Sequence, residues 1–129
     1  MRVEVERLIK QAERDLENAR KNVGVEAYEL AAFVCHQAVE KYLKATWMLL
    51  KNEPAPRTHS LTELADGLRV PADLRRHFGY LNPDYTTARY PDAANGVPYE
   101  VYDRPTAEAK VQAAEGAFQW LRQLTRTKK

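Results

Sequence analysis

The stretch Ala32-Phe33-Val34-Cys35-His36-Gln37-Ala38-Val39-Glu40-Lys41-Tyr42-Leu43-Lys44-Ala45 decides how this chain folds. It lies in a helical run predicted from about Val25 to Lys51. Wound as a helix, the run carries Ala27, Leu30, Ala31, Val34, Ala38, Tyr42, Ala45 and Leu49 on an arc wider than half the circumference, and Cys35, Val39 and Leu50 widen it. A helix on a protein surface shows a narrower stripe. This one is therefore expected to be central, with alanines that let its neighbours approach closely. Its charged arc holds Glu26, Glu29, Glu40, Lys44 and Lys51, and Phe33 and Trp47 interrupt it. Two large aromatics on a polar side predict contact with another element or with a second subunit, so both are interface candidates.

Outward from this helix the periodicity stays helical. Val5, Leu8, Ala12, Leu16 and Ala19 make one stripe, predicting a helix from about Val3 to Asn22 that stops at Gly24. Pro54 and Pro56 force a loop, after which Ser60-Leu61-Thr62-Glu63 reads as a capping box, with Ser60 capping and Glu63 reaching back. A short helix ending near Gly67 follows, then another from Pro71 to about Leu81. The last helix is expected from about Pro105 to Thr125, on Ala107, Val111, Ala114, Phe118, Leu121 and Leu124. A basic tail follows it, with Arg122, Arg126, Lys128 and Lys129.

Residues 82–104 break the pattern with Pro83, Pro91, Pro98, Gly96 and four tyrosines, Tyr85, Tyr90, Tyr99 and Tyr102. They predict a long loop of functional weight, with a turn of helix near Tyr85 to Ala88. The expected fold is all-α: an antiparallel up-down bundle of four to five helices with this Tyr- and Pro-containing loop before the last one.

The 129 residues fit one domain spanning 1–129, and a net charge of +2 gives no electrostatic case for nucleic acid. The single cysteine excludes an internal disulfide and fits a reducing compartment; as part of the apolar arc, Cys35 reads as an inert core thiol. The charged start of the chain and the lack of a run approaching ~18 apolar residues predict a cytoplasmic protein with no membrane contact.

His36, His59 and His77 show no metal-ligand spacing, and no Gly-rich phosphate loop occurs, so neither metal nor cofactor is expected. His36 reads as a residue flanking the buried face, His59 as a loop residue beside the Ser60 cap, and His77 as part of a solvated basic turn. The best candidate site is Ala88-Arg89-Tyr90-Pro91-Asp92. Pro91 holds Tyr90 extended, and an arginine fork beside aromatic faces suits a phosphate and a base. The competing reading pairs Arg89 with a loop acid and packs Tyr90 on the bundle. The net charge of −2 over residues 80–104 argues against a nucleic-acid groove.

Three landmarks resemble the HEPN family. Gln37, Ala38, Glu40, Lys41, Leu43, Lys44 and Ala45 match its second-helix pattern; Thr58-His59-Ser60-Leu61 matches its T-H-x-L loop; Ala88 to Asp92 matches its A-R-Y-P-D-like loop. The resemblance implies a prokaryotic helical bundle that dimerises and often pairs with a minimal nucleotidyltransferase in a toxin–antitoxin-like system. It makes Arg89, Tyr90, Asp92, Lys41, Lys44 and His59 the ligand-binding candidates, with a nucleotide or RNA as ligand. Metal-independent RNases of the family place an arginine before a histidine with four to six residues between them. Here Arg69 is the nearest approach, with seven residues between it and His77, so the catalytic candidates Arg69, Arg75, Arg76 and His77 depart from the pattern. A binding module is the expected function; an RNase with a degenerate site and a purely structural scaffold are the alternatives.

Overall fold

The structure is a computed structural model and describes residues 1–127; Lys128 and Lys129 of the basic tail lie outside the described residues. Its helices are α1 (Val3–Gly24), α2 (Tyr28–Lys51), α3 (Leu61–Gly67), α4 (Ala72–Leu81), α5 (Asp84–Thr87), α6 (Pro91–Ala94), α7 (Pro98–Val101) and α8 (Arg104–Thr127). Among the described residues five helices have seven residues or more and no strand occurs.

α1 buries Val5, Ala12, Leu16 and Ala19, while Leu8 is half-buried. Only residues 25–27 join it to α2, which makes the two antiparallel neighbours. Arg2 reaches the Met48 carbonyl at 3.4 Å, and Lys41 pairs with Asp15 at 2.6 Å. α2 is central as the wide apolar arc predicts, packing on α1, α8, α3, α4, α5 and α7. Ala31, Cys35, Ala38, Val39, Tyr42, Leu43 and Ala45 have almost no exposed surface. Leu30, read into the same arc, is 45% exposed.

α8 runs antiparallel to α1, through Arg20–Glu115 and the forked Arg122–Glu13 pair, and parallel to α2. Arg104 lies over the Tyr28 ring near the start of both helices, and Tyr42 meets Phe118 edge-to-face at 5.0 Å further along. The parallel arrangement follows from the excursion over residues 52–103, which carries the chain back to the start of α2.

Part of that excursion was expected to be a loop and is instead a chain of single helical turns. The predicted turn near Tyr85 is α5. Two more follow because Pro91 and Pro98 each stand at a first helical position, where a fixed φ helps and a missing N–H costs nothing. The segment is tied down by Asp84, buried at 1% exposure. Its Oδ1 accepts from the Tyr102 hydroxyl, and the Lys110 ammonium of α8 lies 2.8 Å from Oδ2. Lys110 also donates to the Tyr80 carbonyl at 2.6 Å. Burial pushes the Asp84 carboxyl above the usual carboxylate range, against the pull of Lys110 and Tyr102.

The cap of α3 differs in one detail from the expected box. Ser60 Oγ accepts from the Glu63 N–H at 3.2 Å, as predicted, but Glu63 does not reach the Ser60 N–H itself. Thr58 Oγ1 takes that N–H at 3.1 Å and donates to Glu63 at 2.9 Å, so a hydroxyl two residues upstream relays the closure. Trp47, an interface candidate, finds a partner within the chain. Its ring lies against Gly67, where a Cβ would overlap the ring carbons, and its Nε1 donates to Glu53 at 3.2 Å.

Candidate functional site

Four residues on one face of α2 begin the site: Phe33, His36, Gln37 and Glu40, spaced three and four apart. His36 is wholly buried. Its Nε2–H donates to the His59 carbonyl at 2.9 Å, and its Nδ1 accepts from Gln37 at 3.3 Å, so the neutral ring is satisfied on both sides. Burial lowers its pKa to about 4, partly opposed by the Glu40 carboxylate and the bond to the His59 carbonyl. The buried ring thus fastens the loop that carries His59.

The side chain of His59 is 53% exposed, and its Nδ1–H donates to Glu40 Oε1 at 3.0 Å. Lys44 donates to the other Glu40 oxygen at 3.1 Å. The His59 imidazole stacks on Tyr85 of α5 at 4.0 Å between centroids, with the planes 15° apart. Beyond Tyr85 comes Arg89. Its guanidinium carbon lies 4.6 Å from the ring centre of Phe33, 4.4 Å from Tyr85 and 5.1 Å from Tyr90, and its Nε donates to the Tyr85 carbonyl at 2.6 Å. Its two terminal nitrogens make no hydrogen bond among the described residues, and the residue is exposed. An arginine whose stem and planar head are fixed while its outer N–H groups face water is prepared for an anion.

The three sequence landmarks therefore meet, though not every candidate does. His59, Arg89 and Tyr90 stand at this site, and Lys44 supports it through Glu40. Lys41 faces α1 and is held by Asp15. Asp92 is exposed in the first turn of α6. Phe33, read as an interface residue, here packs on Tyr85 and Arg89. The pairing of Arg89 with a loop acid does not occur among the described residues. The catalytic candidates are not gathered: Arg75 is forked onto Asp66 at 2.7 and 2.9 Å, Arg69 is exposed in the left-handed turn after α3, and His77 lies against Gly116 of α8. His77 is half-buried on α4, and burial and neighbouring Arg76 lower its pKa.

Tyr85 was missed as a site residue, and only its place four residues before Arg89 on a predicted turn signalled it. Glu40 appeared as a motif residue without a role, because its partner lies 19 residues away in the chain. Cys35 is buried as expected, and burial pushes its thiol up to about 12. Among the described residues no cluster of His, Cys, Asp or Glu could hold a metal ion, and no helix is long and apolar enough to cross a membrane.

Compared with known proteins, residues 5–124 match the HEPN domain. The crystal structure of ST0689, an archaeal HEPN homologue, is 37% identical with a TM-score of 0.81, over 96% of this chain and 99% of that one. The crystal structure of TT1696 from Thermus thermophilus is 27% identical with a TM-score of 0.83, over 93% and 97%. No curated protein matches the chain.

Proposed function

The chain belongs to the HEPN family, and on that premise we propose that it is a binding module whose Arg89 platform takes the phosphate of a nucleotide. The supporting observation is the guanidinium held against Phe33, Tyr85 and Tyr90 with its outer nitrogens unengaged. Aromatic faces fix the cation and restrict its rotamers, so less entropy is lost when an anion arrives. Tyr90, 53% exposed, offers a face for a base. The module dimerises and works beside a minimal nucleotidyltransferase in a toxin–antitoxin-like pair; that part of the proposal is supported by family membership.

Calorimetry with adenosine 5′-monophosphate on the wild type and Arg89→Ala tests the ligand reading. A charge-assisted fork is worth about 1.5–3 kcal/mol, so the variant should bind roughly ten- to a hundredfold more weakly. Equal binding by both proteins would remove Arg89 from the site.

A further inference from the structure

α1 and α8 both pack on α2 and much less on each other, which leaves a groove between them with α2 as its floor. Two ion pairs cross it like rungs. Arg20 of α1 meets Glu115 of α8 at 2.8 Å. About two turns nearer the start of α1, Glu13 takes the fork of Arg122, about two turns further along α8. The helices are antiparallel, so one turn beyond that second rung Lys10 comes opposite Thr125 and Arg126. Here two cations face each other across the groove. Neither has an acid in ion-pair range among the described residues, and Arg126 commits only its Nε, to the Arg122 carbonyl at 3.3 Å. Like charges held opposite each other repel, and an anion between them removes the cost.

A cavity of about 750 Å³ opens at this rung, within the size range of small-molecule sites. The larger part of its surface is apolar. Ile9 and Lys10 line it from α1, Thr125 and Arg126 from α8, and Tyr42 from α2 beneath. Tyr42 is 2% exposed, yet the one partner of its hydroxyl among the described residues is Thr125 Oγ1 at 3.4 Å. That is well beyond the ~2.7–2.8 Å of a sound O–H···O bond. Thr125 gives its own hydrogen to the Leu121 carbonyl at 3.0 Å, so the Tyr42 hydrogen is the one still to be placed. Burial raises the Tyr42 pKa, which keeps that hydrogen on the phenol. Among the lining side chains Lys10, Arg122 and Arg126 outnumber Glu6 and Glu13 by one charge, which suits a monoanion. We infer that the cavity binds a small carboxylate with a hydrocarbon body: its anionic end lies between Lys10 and Arg126 and accepts from the Tyr42 hydroxyl, and its hydrocarbon lies along Ile9. The cavity shares no residue with the Arg89 site, and the inference does not depend on the nucleotide reading.

The test is calorimetry with octanoate and octan-1-ol, which differ in the charged end. The proteins are the wild type, Tyr42→Phe, and Lys10→Ala combined with Arg126→Ala; Lys10 and Arg126 are exposed, so their truncation leaves the core intact. Octanoate should bind the wild type about tenfold more tightly than the alcohol, and about tenfold or more weakly in the double variant, as the loss of charge-assisted bonds requires. The alcohol should not distinguish those two proteins. Tyr42→Phe should weaken octanoate about three- to tenfold. Saturation with adenosine 5′-monophosphate should leave octanoate binding unchanged. The inference is overturned if octanoate does not bind, if the wild type takes the alcohol equally well, if neither variant weakens octanoate, or if the nucleotide competes with it.

Discussion

The ring of His36 has no exposed surface, and both its nitrogens are engaged in the neutral form. Its pKa falls from the ordinary 6.5 to about 4 on folding, so between those values the unfolded chain binds a proton that the folded one refuses. The associated stability is complete above pH 6.5 and drains away as pH falls towards 4, by up to about 3 kcal/mol. Urea midpoints measured from pH 7.5 to 4 should fall through that window, and His36→Gln should flatten this part of the curve. A wild-type profile with no fall there would show that the ring is not held neutral. At this scale the sequence was legible where chemistry and spacing coincide: Arg89 beside Tyr90 and Pro91, or Cys35 in an apolar arc. It was opaque where function depends on a partner from a different element. Nothing near Glu40 announces that it will orient His59, and nothing near His36 says that its Nε2 will seize a loop carbonyl.

Among the elements, the contact of α2 with α3 depends on a missing side chain. An alanine Cβ at Gly67 would overlap the Trp47 ring, and the flat indole has no internal torsion through which to yield. Gly67→Ala should cost about 1–3 kcal/mol, as overpacking does, and shift the emission of Trp47; an unaltered spectrum and stability would show that the indole can swing clear. The link of α8 to the single-turn helices is ionic. Lys110→Met leaves the Asp84 carboxylate buried without its cation, so it should lower stability by about 3–5 kcal/mol in urea unfolding. A change under about 1 kcal/mol would mean that the pair is dispensable. The long helices were legible because burial repeats their period along the chain. The turns at residues 84–101 were hidden because prolines that forbid a long helix also start very short ones.

For the whole molecule, the central position of α2 was written in its wide apolar arc, whereas the direction of α8 was not. Amphipathic stripes say which faces meet and are indifferent to whether the helices run together or opposed. The proposed dimer belongs to this scale too. Light scattering should give a mass near twice the 14.8 kDa of the chain. A wild type that already scatters as a monomer removes the dimer from the proposal. The direction of α8 also has a bearing on synthesis. Its partners in the two long helices were made well before it: Tyr42 precedes Thr125 by 83 residues, Arg20 precedes Glu115 by 95, and Glu13 precedes Arg122 by 109. A nascent chain can close the α1–α2 hairpin early, but the side of α2 that carries Tyr28 and Tyr42 stays open until α8 leaves the ribosome. During that interval the surface of α2 that α8 covers in the finished domain is left bare.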